Sequence, residues 1–260
     1  MALPLSVLLL ARDEREALER LLPALAFAGE VVVVSDTRGE PGIKALAARH
    51  GARVFERPFD GFGPQRQFAL EHCTRPWVLW IDADEWPDPR LIGALTARLD
   101  RAAGGEPAAG FRIARHTWFL GRRIRFCGWQ GERIVRLFRR ERARFDDAPV
   151  HERVQIAGPI ADLPGALEHH SYPTVAVCAA KLVRYAHAGA ARAWREGRRA
   201  TVLDLALRPP LRFARQYLLQ LGILDGVHGL LVCALAATQV LLKYAELWDR
   251  TRRPAESPPA

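Results

Sequence analysis

The run Trp77-Val78-Leu79-Trp80-Ile81 is apolar throughout and gives way at once to Asp82, Asp84 and Glu85. A short unbroken apolar run reads as a strand buried on both faces, and Pro87 and Pro89 stop further pairing. A buried strand has no need to end in three carboxylates within four residues, so these acids are candidates for facing a ligand. Similar polar groups end other apolar runs: Arg12-Asp13-Glu14, Ser35-Asp36, and Glu56 to Gly63. Ligands of open α/β sheets bind at the carboxyl ends of the strands, so these groups should converge on one crevice. The net charge of +9 comes almost entirely from arginine, with only Lys44, Lys181 and Lys243 as lysines. A cationic excess of that kind points to an anionic partner such as a nucleotide, a nucleic acid or an acidic membrane surface.

The elements that must position these groups follow from hydrophobic period. Leu5 to Ala11 is strand-like and runs into Arg12-Asp13-Glu14 without a basic leader, so a first β-strand is expected there and not a signal peptide. Asp13 is expected to cap a helix through Phe27, with Leu18, Leu21, Leu22 and Leu25 on one face. EVVVVSD, ARVFE and WVLWID are further strands; IKALAARHG, closed by Gly51, and PQRQFALEHC, opened by Pro64, are helices. Strand–helix alternation of this kind predicts an α/β fold with a mostly parallel central sheet covered by helices. A Gly/Ala loop, AAGGEPAAG, follows the next helix, and FRIARHTWFLGRRIRF then reads as a strand or hairpin at the sheet margin.

After Tyr172 the pattern becomes all-helical. A long amphipathic stretch carries Arg192, Arg195, Arg198 and Arg199, and Pro209-Pro210 is expected to break it. The later helix is interrupted by Asp225 and His228; its longest uncharged stretch, Gly229 to Leu242, is short for a membrane span. Basic and apolar helices together suit either an interfacial membrane contact or a layer packed on the domain. The expected organisation is a catalytic domain over 1–171, a helical extension over 172–251 and a disordered tail over 252–260. Cys73, Cys127, Cys178 and Cys233 are far apart, so a zinc or disulfide framework is unsupported and a cytoplasmic setting fits. The arginine-rich segment from Arg112 to Arg144 carries no zinc-finger, RRM or KH signature, so no nucleic-acid partner is expected.

The chain resembles family 2 glycosyltransferases, and within them the bacterial lipopolysaccharide-core β-1,4-glucosyltransferase subgroup. The resemblance covers nearly the whole chain and rests on ARDE, GFGPQRQFAL, WVLWIDADEW, GWQGERIVRLFRR, VHE and RFARQYLLQLGILDGVHGL, in that order. It implies a glycosyltransferase A fold, a nucleotide-diphospho-sugar donor (UDP-glucose in the subgroup), Mg2+ or Mn2+, and a saccharide acceptor on a glycolipid or lipopolysaccharide core. The helices after Tyr172 are expected to hold the enzyme peripherally on the cytoplasmic face of the inner membrane, where a lipid-bound acceptor would be met. Hard cations take oxygen ligands and need only one or two protein carboxylates. Asp84 is the expected metal ligand, and Asp82 the contact to ribose or a metal-bound water.

Arg12, Asp13, Glu14, Asp36 and Arg66 complete the expected donor site, with Arg66 toward the diphosphate. The chain departs from the family in having SDTRGEPG after the second strand, so that Asp36 stands one position late for the usual nucleoside contact. Asp13 likewise stands where the family often has Asn. An inverting transfer needs a base for the acceptor hydroxyl; Glu132 and Glu152 compete, with Glu132 preferred and read as preceding a helix. His151 is either a further metal ligand or a structural histidine. His169 and His170 read as loop residues. Trp118 and Trp129 read as core aromatics before sugar-stacking ones. Two other classes compete: a nucleotidyltransferase, which would usually carry a Gly-rich basic loop where ARDERE stands, and a non-catalytic basic binding protein, which would not need the acids at the strand ends.

Overall fold

The computed structural model describes residues 2–101, 107–146 and 154–252. The first part of the chain runs β1 (Leu3–Ala11), α1 (Arg15–Ala24), β2 (Ala28–Asp36), α2 (Ile43–Arg49), β3 (Arg53–Arg57), α3 (Phe62–His72) and β4 (Trp77–Trp80). It continues with β5 (Glu85–Pro87), α4 (Pro89–Arg101), β6 (Gly110–Phe119), β7 (Arg122–Arg123), β8 (Arg133–Arg139), β9 (Ala143–Phe145), β10 (Val154–Ile156) and β11 (Ile160–Tyr172). Three helices close it: α5 (Val175–Arg195), α6 (Val202–Ala214) and α7 (Gly226–Arg252).

The main sheet has the order β3-β2-β1-β4-β8-β6-β11-β5. The first four strands are parallel, as strand–helix alternation predicts; β8 then runs antiparallel to β4, and β6 antiparallel to β8. The fold is therefore α/β with a large mixed sheet flanked by helices. Strand β1 is buried on both faces because helices cover both. Leu5, Val7 and Leu9 share a core with Leu18 and Leu21 of α1 and Leu46 of α2. Leu8 joins Val32, Val78, Phe138 and, from α3, Ala69 and Leu70.

The chain divides into two compact units, one of residues 1–115 and 131–169, the other of residues 116–130 and 170–260. In the second, α5 is capped by the Thr174 hydroxyl, which accepts from the Val177 N–H at 3.2 Å. Its buried Asp225 accepts the backbone N–H groups of Arg125 (3.1 Å) and Phe126 (2.8 Å). One of its apolar clusters joins Phe119, Ile124, Cys127, Cys178, Val232 and Cys233.

Several local expectations change. Helix α1 begins at Arg15, and Glu14, not Asp13, sits at its cap position. The Glu14 carboxylate turns back to accept the N–H groups of Arg12 (2.7 Å) and Asp13 (3.0 Å). Strand β6 lies between β8 and β11, not at the margin; its partner β11 was unreadable because Pro164, Gly165 and the His169-His170 pair interrupt any apolar alternation. Glu132 precedes a strand, β8, not a helix. The helical break falls at Gly197 (φ 76°), before Pro209-Pro210, which sit inside α6. A capping box explains the restart: Thr201 Oγ accepts from the Asp204 N–H while Asp204 accepts from the Thr201 N–H. Part of the Gly/Ala loop (102–106) and most of the expected tail (253–260) lie outside the described residues.

Candidate active site

The acids after β4 are gathered by a tight reciprocal turn. The Glu85 N–H donates to the Asp82 carbonyl at 3.0 Å, and the Asp82 N–H donates to Glu85 Oε2 at 3.1 Å. What lies opposite them is arginine. Arg136, in the middle of β8, is buried, and its Nη2 donates to Asp82 Oδ2 at 2.6 Å and to Glu85 Oε1 at 2.8 Å. Arg66 on α3 reaches Asp82 Oδ1 at 3.4 Å, and the Trp80 indole N–H donates to the same oxygen at 3.2 Å. Both guanidinium groups also lie over the Trp80 ring, 4.1 Å (Arg66) and 3.9 Å (Arg136) from its centroid.

This network sets the protonation of its members. Burial opposes ionisation of Asp82, but Arg136 and Arg66 outweigh it and hold the carboxyl below the usual range. Burial is also the main influence on Glu85 and, with the Asp82 charge beside it, pushes that carboxyl up against the pull of Arg136. The two acids share one cation, so ionisation of either opposes the other. Burial alone would lower Arg136; Asp82 and Glu85 overcome it and raise the group further.

Asp84, between them in sequence, has a different neighbour. Its Oδ2 lies 3.4 Å from His169 Nε2, and the Asp84 side chain keeps 30% exposure. The register of β11 on β5 produces that meeting, because His169 pairs directly with Glu85. His169 is thus a sheet residue beside the acids, not a loop residue. Among the described residues no group of three or more His, Cys, Asp or Glu could by itself hold a metal ion. A hard cation completed by substrate phosphate oxygens needs only one or two protein ligands, and Asp84 with His169 meets that smaller requirement.

The other expected residues fall into two groups. Asp36, at the end of β2, accepts from the N–H groups of Arg38 (3.1 Å) and Phe59 (3.2 Å), with Arg12 Nε 3.6 Å away. Burial works against its charge, and these bonds more than compensate, so its carboxyl is held low. Asp13 is exposed beside Arg12. Glu132 is clamped by Arg115 of β6, through Nη2 at 2.7 Å and Nε at 3.0 Å, while Arg115 Nη1 approaches Glu85 at 3.6 Å. His151 and Glu152 lie outside the described residues. Trp118 stacks on His170 and Trp129 on Tyr172 within the second unit.

Sequence reasoning missed Arg136, Arg115 and His169. The first had a signal: an arginine between Val135 and Leu137 in a buried strand is expensive unless a carboxylate meets it, and the acids after β4 were the available partners.

A parallel β3-β2-β1-β4 half-sheet with acids and arginines at its carboxyl edge has its ligand crevice where open α/β sheets place one. The family model for glycosyl transferase family 2 matches residues 6–157. The chain belongs to that family, and the protein is a glycosyltransferase. It is 28% identical over 255 residues to the lipopolysaccharide core biosynthesis glycosyltransferase LpsC of Rhizobium meliloti (strain 1021), covering 95% of this chain and 93% of that one. It is 35% identical over 98 residues to an uncharacterized glycosyltransferase of Mycobacterium tuberculosis, covering 38% of this chain and 44% of the relative. Its fold is similar to that of the mannosyltransferase PcManGT from Pyrobaculum calidifontis, solved with GDP-Man and Mn2+. That likeness has a TM-score of 0.55 at 15% identity, over 96% of this chain and 88% of the other.

Proposed function

We propose that the protein is a metal-dependent inverting glycosyltransferase that moves a hexose, glucose by preference, from a nucleotide diphosphate onto a lipopolysaccharide-core or similar glycolipid saccharide. The similarity to LpsC along nearly the whole chain supports the acceptor class. The observation that carries the chemistry is the Asp82–Glu85 turn, in which arginines engage Asp82 and Glu85 while Asp84 meets His169.

On this reading residues 1–171 do the chemistry and 172–251 form a helical extension. Asp84 and His169 hold Mg2+ or Mn2+, which supplies charge stabilisation to the departing diphosphate. His151 is a second candidate ligand. Asp82, locked by Arg136, Arg66 and Trp80, presents an ionised carboxylate to the donor ribose. Arg66 lies on the diphosphate side, and Asp36, with Arg12, Asp13 and Glu14 around it, meets the nucleoside. The acceptor oxygen attacks the anomeric carbon, the bond to the diphosphate breaks, and the hydroxyl proton passes to Glu132. Arg115 orients that carboxylate, and the acceptor must displace one of its two bonds. Glu152 is the rival base.

On this reading the enzyme works peripherally on the cytoplasmic face of the inner membrane, where a lipid-bound acceptor would be met. Arg192, Arg195, Arg198 and Arg199 supply the basic contact, although Arg192 and Arg198 also pair with Glu196. The helical stretch Gly222–Arg252 is long and apolar enough to cross a membrane by length and composition; salt-sensitive vesicle binding separates the peripheral reading from a spanning one.

A screen of UDP- and GDP-sugars against truncated lipopolysaccharide cores tests the proposal. Glucose incorporation with stoichiometric nucleoside diphosphate supports it. No turnover of any donor, or pyrophosphate release as in a nucleotidyltransferase, contradicts it.

A further inference from the structure

Helix α6 carries two apolar faces, and the fold uses one. Pro209 is buried and Phe213 packs with the cluster that includes Tyr217. Leu207 and Leu211 each lie two residues from Pro209, about 200° round the helix, and Leu203 extends their row by four. These leucines are 68% (Leu203), 53% (Leu207) and 64% (Leu211) exposed. In the turns before α7, Leu219, Ile223 and Leu224 are also exposed. A helix in a water-soluble unit normally keeps its outward face polar, so this second face lacks its natural environment.

Charge and composition identify that environment. From Gly197 to Leu224 the chain holds five arginines (198, 199, 208, 212 and 215) against a single acid, Asp204. Asp204 is itself paired with Arg208. A second copy of the chain would set arginine against arginine. The exposed large apolar residues between Val202 and Val227 are all aliphatic, whereas protein interfaces lean on aromatic anchors. Aliphatic chains beside arginines suit an anionic lipid surface, with the leucines at the acyl boundary and the guanidinium groups among phosphates.

We infer that the outward leucine row of α6, together with the turns before α7, inserts into anionic lipid and is the part of the protein that enters the bilayer interface. This deepens the proposed peripheral contact by naming the apolar face that enters lipid, and does not depend on which sugar is transferred.

The test uses the full chain carrying Leu207→Cys, labelled with an environment-sensitive fluorophore; the four native cysteines are buried. Vesicles are phosphatidylcholine with or without phosphatidylglycerol. The label should shift blue on phosphatidylglycerol vesicles and be quenched by a nitroxide at shallow acyl depth. Leu203→Ser, Leu207→Ser and Leu211→Ser together should weaken vesicle binding by about tenfold or more, a modest part of the transfer free energy of three leucyl side chains. Nucleoside diphosphate release with a soluble acceptor fragment should be unchanged in that variant; its absence in the wild type would count against the transfer reading alone. The inference is overturned if the protein binds vesicles while the label stays aqueous, if the triple variant binds as the wild type does, or if the label is buried without lipid in a dimer that grows with concentration.

Discussion

Arg136 Nη2 lies 2.6 Å from Asp82 Oδ2, tying the middle of β8 to the turn that carries the acids. The same nitrogen holds Glu85 at 2.8 Å, and both the Arg136 and Glu85 side chains are enclosed, whereas Asp82 keeps 33% exposure. Removing the cation leaves Glu85 in the interior with the more distant Arg115, 3.6 Å away, in place of Arg136. Arg136→Met should therefore lower stability by about 3–5 kcal/mol, the usual cost of breaking a buried pair from one side. A urea denaturation series measures this, and a loss below about 1 kcal/mol, the scale of a surface pair, would make the network incidental.

The base assignment is tested by order of effect. Glu132→Gln should reduce the transfer rate constant by about a hundredfold or more, the scale of a general base, with donor binding retained. Glu152→Gln should do less. The reverse order moves the role to Glu152 and leaves Glu132 as the counterion of Arg115.

His169 is read through metal affinity. His169→Ala removes the neighbour of Asp84 without touching Arg136 or Glu132. The Mn2+ concentration giving half-maximal transfer should rise by about tenfold or more. An unchanged metal requirement would make His169 a sheet residue that merely abuts the acid.

The start of α6 should respond to acid. Arg208 first, then the Thr201 N–H and hydroxyl, lower the Asp204 carboxyl from its ordinary value of 3.8 to about 2. A depressed folded pKa stabilises the cap fully above the unfolded value, and that contribution fades as pH falls from about 4 toward about 2. The protection of first-turn amides of α6, exchange corrected for its intrinsic pH dependence, should fall across that window, and Thr201→Ala should remove about 1 kcal/mol of the cap at neutral pH. Protection that is unchanged from about pH 4 to about 2 would contradict the linkage.

The parallel half of the sheet was legible because β1, β2 and β4 are apolar runs ended by a polar group or a turn, and the shorter β3 lies between two helical patterns. The antiparallel half was not. Strand β11 contains Pro164 and Gly165, the latter at φ 90° with its α-carbon packed against the Leu91 backbone, so its identity comes from long-range pairing and not from local pattern. The same reason hid His169, whose place beside Asp84 depends on the register of β11 on β5. Asp82 and Asp84 were legible because they follow a buried run. Their different surroundings were not, since Arg136 and Arg66 arrive from 54 and 16 residues away.

On the proposed function Asp84 serves sugar transfer together with a divalent cation. The direct measurement is nucleoside diphosphate release from a sugar donor by purified wild type and Asp84→Asn, with an accepted saccharide, at saturating Mn2+ and after chelation. Asn keeps the size of the side chain and loses its charge. Release should require both the cation and Asp84, and the variant should keep wild-type secondary structure while losing turnover. Turnover at near wild-type rate by Asp84→Asn, or by the wild type in chelator, would contradict the account.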